Sequence, residues 1–202
     1  MTCTYTLWPI LSQDWGLERI SGHGKPNGKY LWFHEGADSH IYIFDTGIYA
    51  DHSEWLGRDD QSRLQVPYIC AGTETEYAVN DHGTHIASIA AGFHTGTGKS
   101  ARIHPIQVLD GNGEGTTASV LCGMEKLLQD GIAYNAANAP RKIRAIVNLS
   151  LGVNGRSDAL DKVAYDLTAV GYTVVIAAGD NNGMNTYCIV SCGHLYVIVS
   201  LT

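Results

Sequence analysis

The sequence predicts an α/β protein built on a parallel, doubly wound sheet. Three observations predict it. Near-continuous apolar runs of strand length alternate with longer segments whose apolar residues fall at helical spacing. Runs of that kind suit strands covered on both faces. The joints are short and rich in glycine, of which the chain has 23, and strand–helix–strand order with short joints makes parallel crossovers. The 202 residues suffice for one domain with a sizeable core. Hydrophobic residues make up 45% and charged residues 16%, a globular composition that excludes disorder. A net charge of −7 argues against nucleic acid as a partner. No apolar run approaches the roughly 20 residues of a membrane span. Residues 1–10 lack the charged start and apolar core of a secretory signal.

The elements follow in order. Residues 1–12 read as a loose tail, and 13–202 as one domain. Segment 14–20 reads as a short helix laying Trp15, Leu17 and Ile20 on the body. Segment 22–28, with three glycines and a proline, is a loop. His40, Ile41, Tyr42, Ile43 and Phe44 form a buried strand that stops at Asp45-Thr46-Gly47. Segment 66–70 is a short strand. A helix over 82–93 is entered from a turn-prone Asn80-Asp81 pair, and its small residues suit tight packing. A strand over 102–109 stops at Asp110-Gly111-Asn112-Gly113. A helix over 116–130 carries Val120, Leu121, Met124, Leu127 and Leu128 on one side and closes at Gly131. A strand over 143–149, a helix over 157–170 ending at Gly171, and strands over 172–178 and 195–199 complete the chain.

In open sheets of this kind, sites gather at the carboxyl ends of strands. Asp45, the 110–115 loop, Ser150-Leu151-Gly152 and Ala178-Gly179-Asp180 all stand at such ends. An acidic residue ending a buried strand either caps a turn or holds a partner. His82, thirty-seven positions on at a helix start, is the natural partner. Its ordinary pKa near neutrality suits a general base. His82 and His85 also form an H-x-x-H pair, but no third ligand stands out, so no metal site is assigned. The five cysteines are odd in number and show no zinc-type spacing. Cys188 and Cys192, four apart, can bridge or remain free thiols. The Asn148-Leu149-Ser150 sequon sits at a buried strand end and reads as structural.

These residues resemble the subtilase family, most closely its proteinase K-like branch. Asp45-Thr46-Gly47 resembles the family's aspartate motif, and His82-Gly83-Thr84-His85 its histidine motif. The resemblance implies that Asp45 and His82 are catalytic, with His82 the general base and His85 a structural neighbour. Residues 108–115, with Gly113, Glu114 and Gly115, resemble one wall of the substrate cleft. Ser150, Leu151 and Gly152 resemble the other, and Ala177, Ala178 and Gly179 the wall of the specificity pocket. Residues 15–21 resemble the start of a mature enzyme of this branch. The implied fold is subtilisin-like, and the implied activity is endopeptidase action on extended peptides through an Asp-His-Ser triad. No cofactor is required; the family allows calcium, with no ligands assigned here. Family members are commonly extracellular.

Two departures shape the expectation. The family's nucleophile stands in a Gly-Thr-Ser motif at the start of a central helix, and no serine in these 202 residues does. Asp180 occupies the position of the usual oxyanion-hole asparagine, where an ionised carboxylate repels a developing oxyanion; the alternative is a one-residue shift that offers Asn181. The expectation is therefore a serine endopeptidase relative seen as an incomplete domain, inactive by itself and marginally stable. The alternative is a non-catalytic, subtilase-like peptide- or protein-binding module.

Overall fold

A computed structural model of the chain describes residues 6–9, 15–21, 29–32, 34–57, 62–70, 80–152, 157–177 and 197–199. Its centre is a six-stranded parallel sheet. The strands are β3 (His40–Asp45), β4 (Tyr68–Ile69), β5 (Arg102–Gln107), β6 (Ala145–Leu149), β7 (Tyr172–Ala177) and β8 (Val197–Val199), in the order β4-β5-β3-β6-β7-β8. Three helices cross over it: α2 (His82–Ala91), α3 (Thr117–Ala137) and α4 (Asp158–Val170). Before it come β1 (Thr6–Pro9), α1 (Trp15–Ser21) and β2 (Lys29–Trp32).

Strand alternation sorts side chains to the two faces. Ile41 and Ile43 pack with Ala87 and Ala91 of α2, together with Ile48, Trp55 and Ile103. Phe44, Val147, Leu149, Val174 and Ile176 pack on the other face with Val120, Met124 and Leu127 of α3 and Leu160, Ala164 and Leu167 of α4. The sheet is therefore covered on both sides, as its continuous apolar strands predict. The same alternation turns Asp45 to the α2 side, two positions beyond Ile43. That places a carboxylate where a helix is about to begin.

The chain starts β3 in the middle, winds outward through β4 and β5, then returns to lay β6 on the other side. The crevice where the winding reverses opens at the carboxyl ends of β3, β5 and β6. This is where the motif residues lie.

Four local readings change. Thr6–Pro9 is paired antiparallel with Lys29–Trp32, so that stretch of the expected tail is a strand. In α1 only Leu17 of the three apolar residues is buried, against Tyr30, while Trp15 is 71% and Ile20 64% exposed. The third change is in α3, which runs past Gly131 to Ala137. Gly131 is there for close approach: a Cβ would come within 2.7 Å of Tyr172 and Val170 side-chain atoms. Finally, Cys70 and Cys122 form a disulfide with Cα atoms 5.9 Å apart, tying the edge strand β4 to α3. The Cys188–Cys192 pair lies outside the described residues.

Candidate active site

Asp45 ends β3 with no exposed surface. Buried carboxylates need donors. The Thr46 backbone N–H donates to Asp45 Oδ1 at 2.7 Å. The His82 ring supplies the rest, with Nδ1 2.8 Å from Oδ1 and 3.0 Å from Oδ2. This contact fixes the ring as the Nδ1–H tautomer donating to the carboxylate. It leaves Nε2 without a partner among the described residues. The His82 side chain is 48% exposed, so the pair has one buried and one solvent-facing member.

The helix that carries His82 is pinned from several sides. Asn80, not Asp81, satisfies its first turn: the His82 N–H donates to Asn80 Oδ1 at 2.9 Å. The Thr46 hydroxyl donates to the Asn80 carbonyl at 3.1 Å and accepts from the Gly83 N–H at 3.1 Å. The Tyr49 N–H donates to Thr84 Oγ1 at 2.9 Å. At the far end of α2, the buried Glu54 carboxylate accepts from the His94 and Thr95 N–H groups and the His94 ring. Burial pushes the Glu54 carboxyl upward, but those hydrogen bonds outweigh it and hold it below the usual range. Arg63 reaches the last carbonyl of α2, on Ala91, at 2.8 Å. Both helix ends are thus held by the segments between strands, Thr46, Tyr49 and Asn80 at the start and Glu54 and Arg63 at the end.

His82 stands at the edge of a cleft of about 900 Å³. The cleft is lined by Thr46, Asn80, His82, Leu109, Gly113, Glu114, Gly115, Thr116, Thr117, Val120, Ser150, Leu151 and Gly152. The two predicted walls, 113–115 and 150–152, therefore share one cleft with the histidine. Ala177 ends β7 and is not part of this lining. Ala178, Gly179 and Asp180 lie outside the described residues. Sequence reading missed Thr46, Asn80, Thr116, Thr117 and Val120 as lining. Thr46 and Asn80 flank the two motif residues, and that adjacency was the signal. Thr116 is the N-cap of α3, in a reciprocal pair with Ser119, and its place in the cleft follows from where that helix starts.

Ser150 lines the cleft, with its Oγ accepting from the Asn148 side chain at 2.9 Å. His85 follows in the next turn of helix, its N–H bonded to the Asp81 carbonyl. The family resemblance allows calcium, but among the described residues no three His, Cys, Asp or Glu are grouped to hold a metal ion. No step below involves one.

Residues 36–196 match the family model described as peptidase S8, subtilase family. The chain belongs to the subtilase family. An extracellular serine proteinase of Thermus sp. (strain Rt41A) is 36% identical over 169 residues, which cover 83% of this chain and 38% of that protein. Proteinase T of Parengyodontium album is 33% identical over 168 residues, covering 82% of this chain and 53% of its own length. The crystal structure of a cold-adapted subtilisin-like serine proteinase superposes with a TM-score of 0.71 at 28% identity, over 87% of this chain and 58% of that one. This subtilase thus spans between about two fifths and three fifths of the proteins it matches. The proteinase K-like resemblance and the subtilisin-like parallel sheet both hold in these comparisons.

Proposed function

We propose that residues 1–202 supply the acid–base half of a serine endopeptidase site and the walls of its peptide cleft. The observation that carries this reading is the His82 ring, held through Nδ1 by the buried Asp45 at the edge of the cleft. In that tautomer Nε2 is the basic nitrogen. It takes the proton of an attacking hydroxyl as the acyl bond forms and returns it to the leaving amine. Asp45 orients the ring and stabilises the imidazolium without taking the proton. The two walls bind substrate as an extended strand through backbone hydrogen bonds.

No serine of residues 1–202 stands in a Gly-Thr-Ser sequence. Ser150 shares the cleft, but no hydrogen bond joins it to His82. Losing the nucleophile costs about 10⁶ in turnover, against about 10²–10³ for one oxyanion donor. For residues 1–202 by themselves, the lack of that serine therefore outweighs Asp180. We expect these residues to bind peptide and not to cleave it. A second reading, a peptide-binding module without turnover, is favoured by Asp180 at the position of the usual oxyanion-hole asparagine. An oxidising, extracellular setting is supported by the Cys70–Cys122 bridge and by the relative named as extracellular.

The test is a titration of a fluorescent, extended peptide with the chain, read by anisotropy, for wild type and Gly152→Trp. Among the described residues nothing lies within 4 Å of a Cβ built at Gly152, so the bulky residue is expected to fill the cleft without disturbing the fold. Saturable binding that the variant loses, with the peptide intact afterwards, is expected. Absence of saturable binding, or equal binding by the variant, contradicts the reading. Labelling of the chain by a fluorophosphonate contradicts the argument about the nucleophile.

A further inference from the structure

The wall between β5 and α3 is closed on itself. The Asp110 N–H donates to the Glu114 carbonyl at 2.7 Å, and the Gly113 N–H to the Asp110 carbonyl at 3.0 Å. Asp110 Oδ1 accepts from the Asn112 N–H and the Glu114 N–H, each at 2.9 Å. Gly113 sits at φ +80°, which lets the chain turn this tightly. Glu114 therefore leaves from a backbone fixed on both sides, at a cleft wall.

The charge inventory of the cleft is lopsided. Glu114 is the one carboxylate among its described lining residues. His82 is the other titratable group. The remaining lining side chains are hydroxyls, an amide or apolar, and no lysine or arginine is among them. The Glu114 carboxylate has no hydrogen bond or ion pair among the described residues. Directly behind it, backbone N–H groups of Glu114 and Asn112 hold the Asp110 carboxyl below the usual carboxylate range. The 108–115 segment thus carries two carboxylates, of which only Glu114 lines the cleft, and no lysine or arginine.

We propose that Glu114 determines specificity: the cleft selects extended peptides with a lysine or arginine at the one position that passes this wall, and rejects acidic residues there. The inference rests on the peptide-cleft reading above and adds the substrate class. An exposed ion pair favours the basic peptide, and like-charge repulsion disfavours the acidic one by a similar amount. Together these give a Lys-over-Glu preference of about three- to tenfold at low salt. Added salt shrinks it, because the pair is solvent-accessible.

The experiment uses a set of extended peptides in which each position in turn is Lys, Gln or Glu, titrated against the chain and its Glu114→Gln variant. The expected result is a Lys-over-Glu preference at a single position, falling to near unity in Glu114→Gln and diminishing with salt. A set that binds with no positional charge preference overturns the inference while leaving the cleft reading intact. So does a preference that survives Glu114→Gln. If no peptide of the set binds, the cleft reading itself has failed and this inference falls with it.

Discussion

Gly83 is where the helix of the histidine meets the strand of the aspartate. A Cβ added there would lie 2.2 Å from the Gly47 carbonyl oxygen and 3.1 Å from both Cβ and Oδ1 of Asp45. The first contact is with backbone and cannot rotate away. Relief requires α2 and the 45–47 turn to separate by about 1 Å, the shortfall from an ordinary non-bonded distance. The His82–Asp45 hydrogen bond is 2.8 Å long, and adding about 1 Å takes it beyond the range in which such bonds count. Overpacking of this kind costs about 1–3 kcal/mol. In a domain of this size that lowers Tm by roughly 2–10 °C. Gly152→Ala is the internal control, since among the described residues nothing lies within 4 Å of its added Cβ. Thermal melts of Gly83→Ala, Gly152→Ala and wild type, with the His82 ring tautomer followed by ¹⁵N NMR, give the comparison. Gly83→Ala is expected to melt lower and lose the fixed Nδ1–H tautomer, while Gly152→Ala matches wild type. A Gly83→Ala chain that melts like wild type with the tautomer intact refutes the close-approach argument.

Other outcomes follow from the core. His40 Nδ1 and His104 Nε2 lie 2.8 Å apart, with the His104 ring stacked on Tyr42. Burial, then the His40 and Arg102 charges, push His104 down to about 4. The unfolded chain therefore binds this proton first, and the stabilisation present above pH ~6.5 is lost as pH falls toward about 4. His104 is part-exposed, which reduces the contribution to about 1–2 kcal/mol. Urea midpoints at both ends of that window should differ less for His104→Gln than for wild type, and an equal difference counts against the half-buried His40–His104 pair as the cause. The Cys70–Cys122 bridge spans 52 positions, so on the chain-entropy model its loss destabilises by about 4 kcal/mol. A digest should yield a disulfide-linked peptide holding both cysteines, and reductant or Cys122→Ser should lower the denaturant midpoint. An unchanged midpoint would count against the bridge's stabilising role.

Much of the fold was legible because its signals are local. Strand β3 reads as buried from its own residues, and its abrupt stop marks Asp45 as unusual before any partner is known. The start of α2 reads from Asn80 and the small residues that follow. What escaped depends on distant neighbours. The end of α3 was misplaced because Gly131 serves Tyr172, from another element, and so does not break the helix. The β1–β2 pair was missed because its strands are four residues each with no shared signal. The disulfide was missed because nothing in the spacing of Cys70 and Cys122 marks them as partners. The cleft walls were marked by their place at strand ends and then assigned to substrate through the family resemblance. Its threonines were not, because a threonine capping a helix and one lining a cleft look alike in sequence.

In the proposed site, the buried Asp45 holds His82 as a base at the peptide cleft. Imidazole ¹H–¹⁵N NMR of the chain near neutral pH tests it most directly. The expected result is a His82 ring protonated on Nδ1, with a low-field, slowly exchanging N–H resonance that disappears in Asp45→Ala. A His82 ring protonated on Nε2, or an Nδ1–H signal unchanged by Asp45→Ala, would contradict it.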